Sequence, residues 1–151
     1  MGVSYNDFVE AFLAKITEYD LLGLDFEIRD EVIKGYFKRT IASSKFKKVI
    51  SYDFTTTFNE ETGEFDIDID EYAVDEIVDI VSDGMIVQWF KPYVNKQELF
   101  ENVLSTRDYS LYSPAELLLR VGNAYEKSQK DYVQALREYS YNHGDLTDLH
   151  L

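Results

Sequence analysis

Glu71-Tyr-Ala-Val-Asp-Glu-Ile-Val-Asp-Ile-Val-Ser-Asp-Gly-Met-Ile-Val-Gln-Trp-Phe90 is the stretch on which the fold turns. Val74, Ile77, Val78, Val81, Met85 and Trp89 recur at the spacing of one face of an α-helix. From Met85 to Phe90 the stretch is apolar almost all round. A helix of that kind is covered on more than one side, by its own fold or by a partner. Pro92 is expected to stop it, because proline disfavours helical geometry in the residue before it.

Working downstream, Asn95 and Glu98 cap a short expected helix through Leu104. Ser113-Pro114-Ala115-Glu116 then places serine at an N-cap, proline at the first helical position and glutamate at the third. That helix is predicted to run to about Asn142, with Gly144 positioned to end it. At ~1.5 Å per residue it is on the order of 43 Å long. Leu117, Leu118, Val121, Tyr125, Tyr132, Leu136 and Tyr139 form its inner face. Beyond it, Leu146, Leu149 and Leu151 make the tail at 143–151 unusually apolar and suggest that it docks.

Upstream, Ser4 and Asp7 start a helix carrying Tyr5, Phe8, Val9, Phe12, Leu13, Ile16 and Tyr19. Gly23 separates it from a second amphipathic helix at about 26–44, with Ile28, Val32, Ile33, Tyr36, Phe37 and Ile41 on one face. Gly35 inside that helix points to close packing or a bend. The pattern then changes. Val49 to Phe58 is rich in strand formers, and Phe65, Ile67 and Ile69 alternate with Asp66, Asp68 and Asp70. With Asn59-Glu60-Glu61-Thr62-Gly63 between them, the two runs read as a β-hairpin over about 49–70. The expected fold is mainly α: one domain over 1–151, a helical bundle with an inserted hairpin and a long C-terminal helix.

Charge is unevenly spread. The net charge is −14, yet residues 49–90 hold 12 acids and no lysine or arginine. Lys34, Lys38, Arg39, Lys45, Lys47 and Lys48 fall together, with no acid between Val32 and Tyr52. The two blocks read either as solvated faces or as complementary patches between neighbouring subunits. Trp89 and Phe90 join the basic residues as candidates for that subunit contact. At 45 % hydrophobic residues the chain is no disordered polyanion. It has no cysteine, which excludes disulfides, thiolate zinc sites and cysteine nucleophiles. No run approaches the ~18 apolar residues of a membrane-spanning helix. Met-Gly at the start lacks the Ser or Thr that myristoylation wants, since Asn6 stands there.

The search for chemistry gives no catalytic residue, metal site or cofactor. His143 and His150 fall near the end of the chain, in an expected loop and tail without a scaffold. No glycine-rich phosphate loop and no His-Glu-x-x-His occurs, and no glutamate is followed two places on by lysine. Asp66-x-Asp68-x-Asp70 resembles the opening of a calcium loop. Glu71 stands where that loop wants glycine and Ile77 where it wants glutamate, so the three aspartates read as the solvent face of a strand.

Gly84-Met-Ile-Val-Gln-Trp-Phe-Lys-Pro-Tyr-Val-Asn95, Leu104-Ser-Thr-Arg-Asp-Tyr-Ser-Leu-Tyr-Ser-Pro-Ala-Glu-Leu-Leu118 and Tyr139-Ser-Tyr-Asn-His-Gly-Asp-Leu146 occur in this order. They resemble segments of the neck, or head–tail connector, proteins of tailed bacteriophages, over roughly the C-terminal half. The resemblance implies a structural protein of the virion neck, assembled in the host cytoplasm and not an enzyme. It implies a homo-oligomeric ring, commonly of twelve subunits, between the portal protein and downstream neck or tail proteins. DNA would pass through that ring without sequence-specific binding, and no membrane is involved. On this reading Asp66, Asp68 and Asp70 line the channel, and the charge blocks join neighbours. Tyr139, Tyr141, His143, Leu146, Leu149 and Leu151 would dock on the portal or another partner. A different class also fits the acidity, an interaction module such as a DNA-mimicking inhibitor or a regulatory adaptor.

Overall fold

The computed structural model describes residues 3–22, 30–95 and 114–143. Five α-helices run through these residues: α1 (Tyr5–Ile16), α2 (Asp30–Ala42), α3 (Ser44–Val49), α4 (Glu71–Asn95) and α5 (Pro114–His143). A 3-10 segment, Thr17–Leu22, continues α1. Three two-residue strands, β1 (Val3–Ser4), β2 (Phe58–Asn59) and β3 (Glu64–Phe65), form an antiparallel sheet in the order β1-β3-β2. The chain is mainly helical, a bundle with a small hairpin set into it.

The centre of the bundle is α4, and α1, α2 and α5 all pack on it. Ile77, Ile80, Val81, Met85, Ile86, Val87, Trp89 and Phe90 are buried around its circumference. The apolar surface noted in the sequence is thus covered on several sides by helices of the same chain. Each large side chain so buried contributes roughly 1.5–3 kcal/mol relative to exposure. Tyr19 seals one end, its ring 4.9 Å from Phe90 and 6.1 Å from Trp89.

Pro92 does not stop α4, which runs on to Asn95 with the proline inside it. Proline removes one backbone hydrogen bond and crowds the preceding turn, at ~3 kcal/mol or more. The fully buried Trp89 and Phe90 just before it hold that turn against the core. Tertiary packing outweighs the local preference there.

In α5, Val121, Ser128, Tyr132, Leu136 and Tyr139 are buried, with Tyr125 and Ala135 half-buried between them. Steps of three and four residues keep this stripe facing α4 over most of the helix. The expected start at Pro114 and end near 142 agree with the observed Pro114–His143. Asn95, expected to cap a new helix, is the last residue of α4 instead; residues 96–104, the N-cap at Ser113, the inner-face side chains of Leu117 and Leu118 and the tail beyond 143 lie outside the described residues or side chains.

At the other end, the Asp7 carboxylate accepts a hydrogen bond from the Ser4 N–H at 3.1 Å, fixing the start of α1. The second helix is divided. Ser43 accepts from the Phe46 N–H at 3.3 Å and donates to the Thr40 carbonyl at 2.9 Å, so α2 ends and α3 begins with it as N-cap. Helix α3 takes up residues to Val49, where strand was expected, and the remaining hairpin is short. Its strands hold two residues each, with Phe58 opposite Phe65 and Asn59 opposite Glu64. Asn59 Oδ1 accepts from the Glu61 N–H at 2.9 Å, and Gly63, at φ 72°, supplies the left-handed residue that closes the turn. The Gly63 carbonyl then accepts from the Tyr5 N–H at 2.8 Å and fastens the turn to α1.

Asp66 to Asp70 are not a strand, yet their alternation survives. Phe65 and Ile69 are buried and Ile67 half-buried, while the three aspartates are exposed. An aromatic cluster anchors this segment. Phe8 of α1 lies 5.0 Å from Phe37, 5.8 Å from Phe54 and 5.9 Å from Phe65, ring centre to ring centre.

Gly35 lacks the role its sequence position suggested. A methyl group there would meet only the Arg39 side chain, at 3.6 Å or more. The close approach belongs to Gly84, in α4. A methyl group at that position would run into the Thr40 side chain of α2 and would lie 2.9 Å from a Tyr132 ring carbon of α5.

Candidate assembly surfaces

The basic block is displayed on the outer side of α2 and α3. Lys38, Arg39, Lys45, Lys47 and Lys48 are exposed, and Lys34 is half-buried. Two of these cations are held by aromatic faces: Lys34 Nζ stands 5.2 Å from the centre of the Phe58 ring, and the Arg39 guanidinium 5.5 Å from that of Tyr36. Such contacts fix a cation's place without neutralising it. Arg39 Nε also donates to Gln88 Oε1 of α4 at 3.3 Å. Lys47 and Lys48 occupy the last turn of α3, where cations complement the helix dipole.

Trp89 and Phe90 do not belong to this surface. They are 1 % and 0 % exposed, buried by this chain's own α1, α2 and α5, which removes them as subunit contacts. Tyr139 is likewise buried, at 6 %, and its hydroxyl pKa is pushed up to about 12, chiefly by burial. Tyr141 is 66 % exposed and remains available for docking. His143 closes α5 instead of entering a loop. Leu146, Leu149 and Leu151 lie outside the described residues.

The acidic block covers the hairpin and the first half of α4. Glu60, Glu61, Glu64, Asp66, Asp68, Asp70, Glu71, Asp75 and Asp79 are all exposed. Nearby Asp53 is organised locally: its carboxylate accepts from the Thr55 N–H at 2.9 Å, the Thr56 N–H at 3.2 Å and the Thr56 hydroxyl. The Thr56 hydroxyl first, and then the two amides, lower its pKa. One aromatic stands in the acidic field. Tyr72, beside Glu71, is 88 % exposed and was not singled out from the sequence. The signal was present, since the stripe through Val74, Ile77, Val78 and Val81 leaves position 72 on the opposite face of the helix.

Where the two blocks meet, they border one groove of 480 Å³. Tyr5, Phe37, Phe54, Phe58 and Phe65 line it, with Lys34, Lys38 and Glu60 among its polar residues. Among the described residues the buried Tyr5 hydroxyl has no hydrogen-bond partner, and its pKa is raised to about 12, first by burial and then by Asp30.

A second polar cluster ties the helices together. Lys15 Nζ of α1 reaches Asp79 Oδ1 at 2.6 Å, Asp83 Oδ1 at 2.7 Å and the Asp79 carbonyl at 2.9 Å. Burial raises the Asp83 pKa despite the opposing hydrogen bond from Lys15. Lys15→Met leaves that half-buried carboxylate without its cation and is expected to cost about 1–3 kcal/mol. The ionised form of Asp83 carries a burial penalty above its raised pKa, and acidification through that pKa relieves it. The variant's deficit relative to the parent should therefore shrink as the solution becomes more acid, in urea titrations over a pH series. Adding Asp83→Asn should remove the pH dependence of the deficit. A deficit that grows on acidification contradicts the assignment.

Among the described residues, no group of three or more His, Cys, Asp or Glu side chains is placed to hold a metal ion. No helix among them is long and apolar enough to cross a membrane. No protein-family model, curated protein or solved structure matches the chain.

Proposed function

We propose that the chain is a structural subunit of a tailed-phage neck, part of a head–tail connector ring that joins the portal to the tail and continues the DNA channel. The observation that carries this reading is the pairing of two exposed, oppositely charged faces on one helical bundle. Lys38, Arg39, Lys45, Lys47 and Lys48 occupy α2 and α3, and the acids from Glu60 to Asp75 occupy the hairpin and α4. Complementary faces at different places on one subunit favour a head-to-tail contact, and such contacts close into rings when the rotation permits. The exposed Asp66, Asp68 and Asp70, with no cation between residues 49 and 90, suit a surface that repels phosphate and lets DNA slide.

Negative-stain images of the purified protein, alone and with a portal, test the reading. Closed rings, or ring density added to the portal, are the expected result. A monodisperse monomer that ignores portals overturns it. The same acidic face also favours a second reading, a module that occupies the DNA site of a basic protein. Tight, salt-sensitive binding to such a protein without ring formation distinguishes it.

A further inference from the structure

The groove between α2 and the hairpin and the exposed Tyr72 have reciprocal properties. The groove is concave, aromatic and edged by cations: buried Phe37 and Phe54 and half-buried Tyr5 and Phe58 line it, with Lys34 and Lys38. Tyr72 is convex, aromatic and set among anions. It is 88 % exposed, with the exposed carboxylates of Glu71 beside it and Asp75 one helical turn on. No lysine or arginine lies between residues 49 and 90 to pair with that surface from its own stretch of chain. A single exposed aromatic is ordinary by itself. What distinguishes Tyr72 is a counterpart of opposite shape and opposite charge on the same chain. The two do not meet within one molecule, since Tyr72 stands in solvent.

We propose that Tyr72 of one subunit seats in the aromatic groove of the next copy and anchors the head-to-tail contact between them. At 480 Å³ the groove is within the roughly 300–1,000 Å³ of sites that enclose a small molecule, which is ample for one phenol ring. The ring joins aromatics that already pack edge to face, Tyr5 with Phe37 at 79° and with Phe58 at 71°. Its hydroxyl donates to Glu60, the acid among the groove's lining residues. Glu71 and Asp75 meet Lys34 and Lys38 around it, and Lys34 keeps its charge for this because its contact with the Phe58 ring does not neutralise it. A tyrosine in an apolar pocket with a charged rim is the usual anatomy of an interface anchor. Because the tyrosine and the groove are different places on the subunit, the contact propagates from copy to copy. It rests on the neck reading for that head-to-tail geometry, and it can fail while ring formation stands.

Sedimentation velocity over a concentration series at low salt measures the contact. Tyr72→Ala should weaken self-association by about thirtyfold or more, as loss of an interface hot spot does. Tyr72→Phe keeps the ring and should lose less. On the other side, Lys34→Glu with Lys38→Glu disables the groove, and Ala42→Phe obstructs it from an exposed position without changing its charge. Circular dichroism confirms that each variant is folded. Tyr72→Ala and either groove variant should stay monomeric alone at concentrations where the parent assembles. Mixed in equal amounts they should form a one-to-one pair that grows no further, since one keeps the groove and the other the tyrosine. A general attraction between charged faces would instead leave Tyr72→Ala assembling as the parent does. That result, or a mixture that stays monomeric, overturns the proposal, and rings of the parent would then leave the neck reading standing. A parent that stays monomeric up to millimolar concentration also overturns it, whatever the portal does. The capped pair, with a parent that forms only open chains and adds no ring to a portal, supports the contact and overturns the neck reading.

Discussion

Gly84→Ala is expected to destabilise the protein by roughly 2 kcal/mol, although the same change usually strengthens a helix. In a helix interior alanine is better than glycine by about 1 kcal/mol. Here the new methyl group would overlap the Thr40 side chain of α2 and lie 2.9 Å from the Tyr132 ring of α5. Neither neighbour can yield cheaply. Thr40 is 1 % exposed, and its hydroxyl donates to the Tyr36 carbonyl at 2.9 Å, which fixes its rotamer. Tyr132 is 8 % exposed. The helices themselves must part, and overpacking of this kind costs typically ~1–3 kcal/mol before the propensity gain is subtracted. Because both neighbours are rigid, the upper part of that range applies. Gly84→Leu should prevent folding. Urea unfolding measures the first effect, and the double variant Gly84→Ala with Thr40→Ser supplies the control. Serine keeps the hydroxyl and deletes the methyl group, so it should recover about half of the loss. An alanine variant as stable as the parent would show that α4 does not approach α2 and α5 this closely.

Gly84 also marks what a linear reading can and cannot reach. The periodicity of α4 and α5 was legible because a buried stripe repeats along one element, and Ala73 to Phe90 and Val121 to Tyr139 carry it. Which glycine lies at a helix crossing depends on two other helices, and nothing local separates Gly84 from Gly35. Pro92 shows the same limit from the other side. A rule about one residue and its predecessor gave a helix end, whereas the burial of Trp89 and Phe90 by distant segments carries the helix onward. The hairpin was visible through its turn, Asn59 to Gly63, and through the alternation from Phe65 to Ile69. Its strands are shorter than their composition suggests, because Phe54 turns into an aromatic cluster instead of continuing a ladder.

The charge blocks were equally legible, since the clustered cations from Lys38 to Lys48 and the aspartates at alternate positions are exposed as their patterns require. Trp89 and Phe90 were not, because an all-round apolar helix is consistent with cover by the same chain or by another. Only the packing of α1, α2 and α5 around α4 decides between them. The groove lay beyond any local pattern. It joins Tyr5 from the start of the chain to Lys34, Phe37 and Lys38 from α2 and to Phe54, Phe58 and Phe65 around the hairpin. Its signal in the sequence is a set of aromatics with no common period.

Phe8, packed against three rings of that set, carries the second large effect. Phe8→Ala is expected to cost about 3–5 kcal/mol, the range for deleting a fully buried phenylalanine. Phe8 is 0 % exposed and touches rings from three separate parts of the chain: Phe37 of α2, Phe54 of the segment after α3, and Phe65 of β3. Two of these contacts are edge-to-face, at 82° and 88°, an arrangement worth ~0.5–1.5 kcal/mol per pair beyond burial. The loss should therefore exceed that of Phe58→Ala, whose ring is only half-buried. It should also be uneven in space. The hairpin holds few ladder hydrogen bonds, so its attachment depends on side chains, and opening it requires less than unfolding the bundle. Hydrogen exchange on Phe8→Ala should rise first at Phe58 to Phe65 while the amides of α4 and α5 stay protected. A double-mutant cycle of Phe8→Ala with Phe65→Ala should give a coupling above ~0.5 kcal/mol, as neighbouring rings do. Additive losses, or exchange that rises equally across α4, would mean that the ring cluster is not what fastens the acidic hairpin to the bundle.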